Sequence, residues 1–156
     1  MPLPAGTKLG PYDIEEILLA PNGYVFPLDW SSDGSVLLYY VDDGTELHAE
    51  LRVMRMKGER TSRLLLKAPL YTSDGVLRWI AYSTRESGTQ RIFATPYPGP
   101  GPRIRISPGY GGNPIWQKDG RAVLYEEDNF TVRVTEVTEH DPELLVGKTR
   151  EIPQVI

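Results

Sequence analysis

The side chains in this sequence that could catalyse a reaction or bind a metal are few and scattered. The two histidines, His48 and His140, are far apart in the chain, and neither lies in a G-x-S-x-G or H-E-x-x-H context. The chain has no cysteine, which excludes thiolate catalysis and cysteine-based zinc sites. We therefore predict no catalytic residue, no metal and no cofactor, and interpret both histidines as neutral, partly exposed side chains.

Acidic residues cluster at three places, which are Asp42-Asp43, Glu126-Glu127-Asp128 and Glu139 with Asp141. A calcium loop needs oxygen ligands at regular offsets closed by a bidentate carboxylate, and none of the clusters has that pattern. A glycosidase needs two carboxylates that face each other, and nothing in the sequence marks such a pair. We interpret the clusters as solvated loop ends, with a hydrolase that uses Glu126, Glu127 and Asp128 as the alternative.

Aromatic residues offer possible stacking platforms for a sugar or a base. Trp30 and Trp116 stand at equivalent positions of a repeat, three residues before an Asp-Gly pair, which favours packing between sheets. Tyr110 lies in a glycine-rich link that no helix or lysine follows, so the link is not a phosphate loop. The residues predicted to bind a ligand are Tyr24, Tyr110 and Asn113.

The elements that position these residues come from a motif that occurs three times. Its copies read W-S-S-D-G-S-V-L-L-Y-Y at 30–40, Y-T-S-D-G-V-L-R-W-I-A-Y at 71–82 and W-Q-K-D-G-R-A-V-L-Y at 116–125. The three Asp-Gly pairs are 41 and 45 residues apart, which matches the period of about 40–45 residues for a four-stranded propeller blade. Each pair is predicted to be the tip of a hairpin, because Gly accepts positive φ and Asp bonds the backbone of the turn. These turn residues are Asp33, Gly34, Asp74, Gly75, Asp119 and Gly120.

Two further strands are predicted to follow each hairpin. The third strands are Leu47–Met56, Arg91–Thr95 and Phe130–Val137, and the fourth are Thr61–Lys67, Arg103–Ser107 and Lys148–Ile152. The link from Leu66 to Asp74 is so short that the second repeat is expected either to lack a proper innermost strand or to have only a stub of one, Pro69–Thr72. One helical turn is expected around His140–Leu145.

These elements predict an all-β fold of antiparallel four-stranded blades, a partial β-propeller of about three blades. Residues 1–23 form an N-terminal extension with one strand, Ile14–Leu19. Residues 24–156 form one domain whose repeats are about 24–67, 68–107 and 108–152.

At the Asp-Gly repeats the chain resembles the TolB-like (WD-repeat-like) β-propeller family. The stretches S-D-G-V-L-R-W-I-A-Y and R-I-R-I-S-P-G-Y-G-G-N-P-I-W-Q-K-D-G resemble the last sensor blades of bacterial receptor-type serine/threonine kinases. The stretch L-P-A-G-T-K-L-G-P-Y-D-I is similar to the lead-in of their kinase domains, but the Gly-rich loop, strand lysine, H-R-D and D-F-G of a kinase are missing. The resemblance implies a truncated sensor region without phosphoryl transfer.

The overall composition narrows the class of partner. The net charge of −4 is scattered and forms no basic stripe, so we expect no nucleic-acid partner. No secretory leader or apolar run long enough to span a membrane is present, so we expect a cytoplasmic chain without membrane contact. We predict a non-catalytic propeller-type binding or protein-interaction module, with a vestigial or accessory sensor fragment of a receptor kinase or propeller-bearing hydrolase as the alternative. Three blades leave two open ends, which predicts a protein partner or self-association, for example a homodimer.

Overall fold

The computed structural model describes residues 8–9, 12–13, 23–31, 33–42, 44, 49–59, 61–68, 70–76, 78–97 and 101–153. These residues contain strands and no helix, and every strand pairing is antiparallel, so the all-β prediction is confirmed. In chain order the strands are β1 (Lys8–Leu9), β2 (Tyr12–Asp13), β3 (Tyr24–Trp30), β4 (Val36–Asp42), β5 (Ala49–Arg55), β6 (Ser62–Ala68), β7 (Leu70–Val76), β8 (Trp79–Glu86), β9 (Thr89–Pro96), β10 (Ile104–Arg105), β11 (Gly112–Trp116), β12 (Ala122–Glu126), β13 (Val132–His140) and β14 (Glu143–Glu151).

Three four-stranded sheets follow one another along the chain, each with its strands in sequence order. Sheet 1 contains β3 to β6, sheet 2 contains β7 to β10 and sheet 3 contains β11 to β14. A separate two-stranded sheet joins β1 and β2, whereas the strand predicted at Ile14–Leu19 lies outside the described residues. The repeats therefore correspond to successive antiparallel sheets.

Two of the three Asp-Gly pairs lie in turns. Gly34 has a φ of 66° and Gly120 a φ of 72°, in the left-handed region that Gly tolerates best. The Asp33 carboxylate accepts a hydrogen bond from the backbone N–H two residues later at 3.0 Å, and Asp119 does the same at 3.0 Å. These pairs lie in the turns that follow the first strand of sheet 1 and the first strand of sheet 3.

The prediction that Asp74 and Gly75 form the tip of a hairpin is wrong. Both residues lie inside β7, where they pair with Ala81 and Ile80, and β7 continues to Val76, so the turn comes after the Asp-Gly pair and includes Arg78. The second repeat has two more residues than the others between its Asp-Gly pair and its tyrosine, Tyr82. Moving the turn by two residues places Tyr82 in a fully buried position, and this burial outweighs the turn preference of Asp-Gly. The innermost strand of sheet 2 is consequently a full strand of seven residues and not the predicted stub.

The helical turn expected at His140–Leu145 is also wrong. His140 ends β13 and pairs with Glu143 at the start of β14, so this segment is the end of a β-hairpin. Leu144 is buried there while Leu145 is exposed, which is the alternation of a strand.

The core lies between the sheets, in two clusters. The cluster between sheets 2 and 3 contains ten buried residues, which are Trp79, Ala81, Ile92, Ala94, Ile106, Trp116, Val123, Tyr125, Val137 and Leu144. The cluster between sheets 1 and 2 contains four, which are Leu38, Leu51, Val53 and Ile80. Sheet 2 is therefore the middle layer, and six consecutive residues at the start of β8 are buried because both faces of that strand are covered.

Candidate functional site

One edge of the sheet stack carries the β3–β4, β7–β8 and β11–β12 turns, and we call it the turn edge. Two clefts open there, one between sheets 1 and 2 and one between sheets 2 and 3. Trp79, which follows the β7–β8 turn, contributes to the lining of both. Loops at one edge of stacked sheets are a common place for ligand contacts in propeller-like scaffolds.

The cleft between sheets 1 and 2 has a volume of about 210 Å³. Its polar side is formed by Asp29, Ser31, Asp33 and Ser35, and its apolar side by residues of sheets 1 and 2 with the ring of Tyr97. The Asp33 carboxylate accepts hydrogen bonds from the hydroxyls of Ser31 and Ser35, each at 2.7 Å. These bonds lower the pKa of Asp33 well below its ordinary value, which favours the charged carboxylate at the rim of the cleft.

The cleft between sheets 2 and 3 is larger, at about 840 Å³. The β13–β14 hairpin borders it and contacts sheet 2 through Arg78, whose guanidinium lies 3.2 Å from Glu139 and 2.7 Å from Asp141. The hydrogen bond from Arg78 to Asp141 raises the pKa of the guanidinium. The acidic pair predicted to be a solvated loop end therefore joins two sheets.

The residues predicted to bind a ligand are not brought together. Tyr24 begins β3 in sheet 1 and is 69% exposed, with its ring against that of Phe26. Asn113 lies in β11 of sheet 3, where its side-chain amide donates a hydrogen bond to Glu126 at 2.9 Å. Tyr110 lies in the link before β11. None of the three lines either cleft at the turn edge, and their binding role stays a prediction.

The remaining candidates for chemistry have structural contacts or lie apart. Glu127 forms an ion pair with Arg133, in which the two charged atoms are 3.1 Å apart. His140 is exposed at the end of β13, and His48 lies outside the described residues. Over the described ranges, no group of three or more His, Cys, Asp or Glu side chains could hold a metal ion. The described part of the chain also has no helix long and apolar enough to cross a membrane.

Apolar side chains are exposed on the outer faces of sheets 1 and 3, in addition to Tyr24, Phe26, Phe130 and Val146, which lie elsewhere on the surface. Trp30 is 50% and Leu64 45% exposed on sheet 1, while Ile115 is 59% and Leu145 49% exposed on sheet 3. The prediction that Trp30 packs between sheets is wrong for the described residues, because sheet 1 is the end of the stack, whereas Trp116 is buried as predicted. The repeat alignment marked these positions as apolar, but only the sheet order shows which of them face outward.

Comparisons with known proteins assign no family to the chain. No protein-family model matches it, and a search of curated proteins finds no match.

Proposed function

We propose that the chain is a non-catalytic, propeller-type protein-interaction module that binds its partner through the outer faces of sheets 1 and 3. The observation that carries the proposal is the contrast between covered and exposed faces. β8 in the middle sheet is buried along six consecutive residues, whereas the end sheets present Trp30 and Ile115 to solvent. Apolar surface of this kind, framed by charged residues, is typical of protein-interaction sites.

The sheet pattern supports the blade architecture that the proposal assumes. Each sheet has four antiparallel strands in sequence order, and a strand that opens one sheet lies beside the opening strand of the next, as β7 does with β3 and β11. Propellers repeat such sheets around an axis and use the exposed surface for recognition. The resemblance to TolB-like sensor blades agrees with this architecture and stays a prediction.

Photo-crosslinking tests the proposal in the cells that naturally make the chain. A benzophenone amino acid would replace Ile115 or Leu64, and Lys118 in the β11–β12 turn would serve as the control position. We expect adducts, identified by mass spectrometry, at Ile115 and Leu64 and none at Lys118. Adducts at neither outer face, or equal yields at all three positions, would contradict an interaction module that uses these faces.

A further inference from the structure

Each sheet has two faces, which we call the front and the back and identify by residues of the repeat. The front face carries the residue before the repeat tyrosine, which is Leu38, Ala81 or Leu124. The back face carries the tyrosine itself, which is Tyr39, Tyr82 or Tyr125. Because neighbouring residues of a strand point to opposite sides, the two faces of one sheet carry different residues at every position.

Inside the chain, a front face always packs on a back face. Leu38 on the front of sheet 1 shares a core cluster with Ile80, which lies two residues from Tyr82 on the back of sheet 2. Ala81 on the front of sheet 2 shares the other cluster with Tyr125 on the back of sheet 3. At both internal interfaces, the front face of the earlier sheet therefore packs on the back face of the next sheet.

Within the described residues, two faces have no sheet packed on them. They are the back face of sheet 1 and the front face of sheet 3. Inside the chain, a front face packs on a back face at both interfaces, so these two faces are of the kinds that pack on each other. Trp30, which pairs with Leu37 on the back of sheet 1, is half exposed, although Leu37 and Tyr39 on the same face are buried. Its equivalent on the back of sheet 3, Trp116, is 6% exposed because sheet 2 covers it.

The charges of the two faces are complementary. The back of sheet 1 carries Arg52 and Lys67 around Glu50, with N–O distances of 2.8 and 3.3 Å, which leaves one positive charge. Strand register places Glu126, Glu136 and Arg150 on the side of Leu124, so these three residues leave one negative charge on the front of sheet 3, and Glu136 and Arg150 also line the cleft between sheets 2 and 3. Contact between these faces would thus gain both apolar burial and Coulomb attraction.

We propose that the chain assembles with a second copy of itself head to tail, the front of sheet 3 in one copy packing on the back of sheet 1 in the other. This proposal rests on the proposed interaction function and names its partner. Two copies joined at both ends would make a ring of six sheets, within the usual range of about 4–8 blades. Contacts between unlike faces close into a ring or extend as a fibre, and a ring would cover both of these outer faces.

Two single variants and their mixture test the pairing of unlike faces. Ile115→Arg adds a positive charge to the front of sheet 3, and Leu64→Glu adds a negative charge to the back of sheet 1, so each faces a like charge across the contact. Sedimentation velocity should show that each variant alone dissociates at concentrations at least about tenfold higher than the natural chain does. An equimolar mixture should regain the dimer, because the pair then contains one contact between two unaltered faces.

A control variant and further outcomes distinguish head-to-tail self-assembly from binding to a different protein. Phe130→Arg, in the exposed β12–β13 turn, should leave association unchanged, and circular dichroism should show the natural fold for all variants. If a variant misfolds, Ile115→Thr or Leu64→Thr replaces it. A monomer at every concentration, or loss in only one variant without rescue on mixing, would overturn the head-to-tail pairing. Crosslinks from the same faces to a different protein would overturn it while leaving the interaction function in place.

Discussion

The two interfaces inside the chain differ in how completely they are packed. Between sheets 2 and 3, ten buried residues form one cluster that includes two tryptophans and a tyrosine. Between sheets 1 and 2, four buried residues are surrounded by half-buried ones such as Leu28, Val36 and Tyr40. Because apolar burial is the main source of stability, sheets 2 and 3 should form the tighter unit, and sheet 1 the part that opens first.

The links between the sheets also differ, in their length and in their contacts with the core. β6 ends at Ala68 and β7 begins at Leu70, so the link from sheet 1 to sheet 2 is very short. The longer link from sheet 2 to sheet 3 is held by Ser107, whose hydroxyl accepts a hydrogen bond from the Ile92 N–H and donates one to the Gly109 carbonyl, both at 2.9 Å. A Cβ at Gly111 would lie 2.8 Å from an Ile92 side-chain carbon, so the link packs directly on the core. We therefore expect mutations at these interfaces and links to lower the free energy of unfolding by different amounts.

The largest effect is expected from truncating the tighter core. Ile92→Ala should lower the free energy of unfolding by about 2–5 kcal/mol, because Ile92 is fully buried and its neighbours cannot close the cavity. Leu38→Ala should fall at the lower end of that range, since half-buried side chains around it can move into the space. Urea unfolding of both variants measures the difference, and a larger loss for Leu38→Ala would reverse the proposed order of the two interfaces.

A smaller effect is expected from Ser107→Ala in the link between sheets 2 and 3. The substitution leaves the buried Ile92 N–H without its acceptor, which should cost about 1–3 kcal/mol. Ser62→Ala is the control, because Ser62 is exposed and its hydroxyl bonds the side chains of Tyr39 and Arg52, so that no backbone N–H loses its acceptor. Thermal unfolding should separate the two variants, and equal losses would mean that the link is not anchored by Ser107.

The ion pair on sheet 1 should contribute less than about 1 kcal/mol, because it is close to the surface. Hydrogen bonding from Arg52 lowers the pKa of Glu50 in the folded state. The associated stability is present above the ordinary pKa of 4.5 and is lost as the pH falls through the lower folded value. Glu50→Gln should therefore reduce stability at neutral pH and weaken its dependence on acidic pH. An unchanged acid profile would show that the pair is also formed in the unfolded chain or contributes nothing.

The smallest effect is expected at Arg78, which joins sheet 2 to the β13–β14 hairpin. Its side chain and its partners Glu139 and Asp141 are more exposed than the pair on sheet 1, so solvent screens the attraction. Arg78→Ala should cause a slight loss of thermal stability at low ionic strength that disappears at high salt. A loss that persists at high salt would indicate that the arginine stem packs on the cleft wall.

Much of the fold follows from local patterns in the sequence. The three motif copies and their spacing predicted three four-stranded units, and the alternation of side chains predicted most strands to within a few residues. The site was predicted less well. Tyr24 and Asn113 are in different sheets, and Arg78 was not identified because nothing near it in the sequence marks an ion pair with Glu139 and Asp141, about 60 residues later.

The sequence by itself determined the strand period, the Asp-Gly turns at Gly34 and Gly120, and the apolar character of the repeat positions, because these depend on backbone preference and near neighbours. Tertiary structure decided the rest. The buried tyrosine of sheet 2 moved the turn away from Asp74 and Gly75, since burial of Tyr82 involves contacts with residues distant in the chain. The order of the sheets likewise made Trp116 a core residue and left its repeat equivalent Trp30 at the surface, because identical local sequence signals have different neighbours at the middle and at the end of a stack.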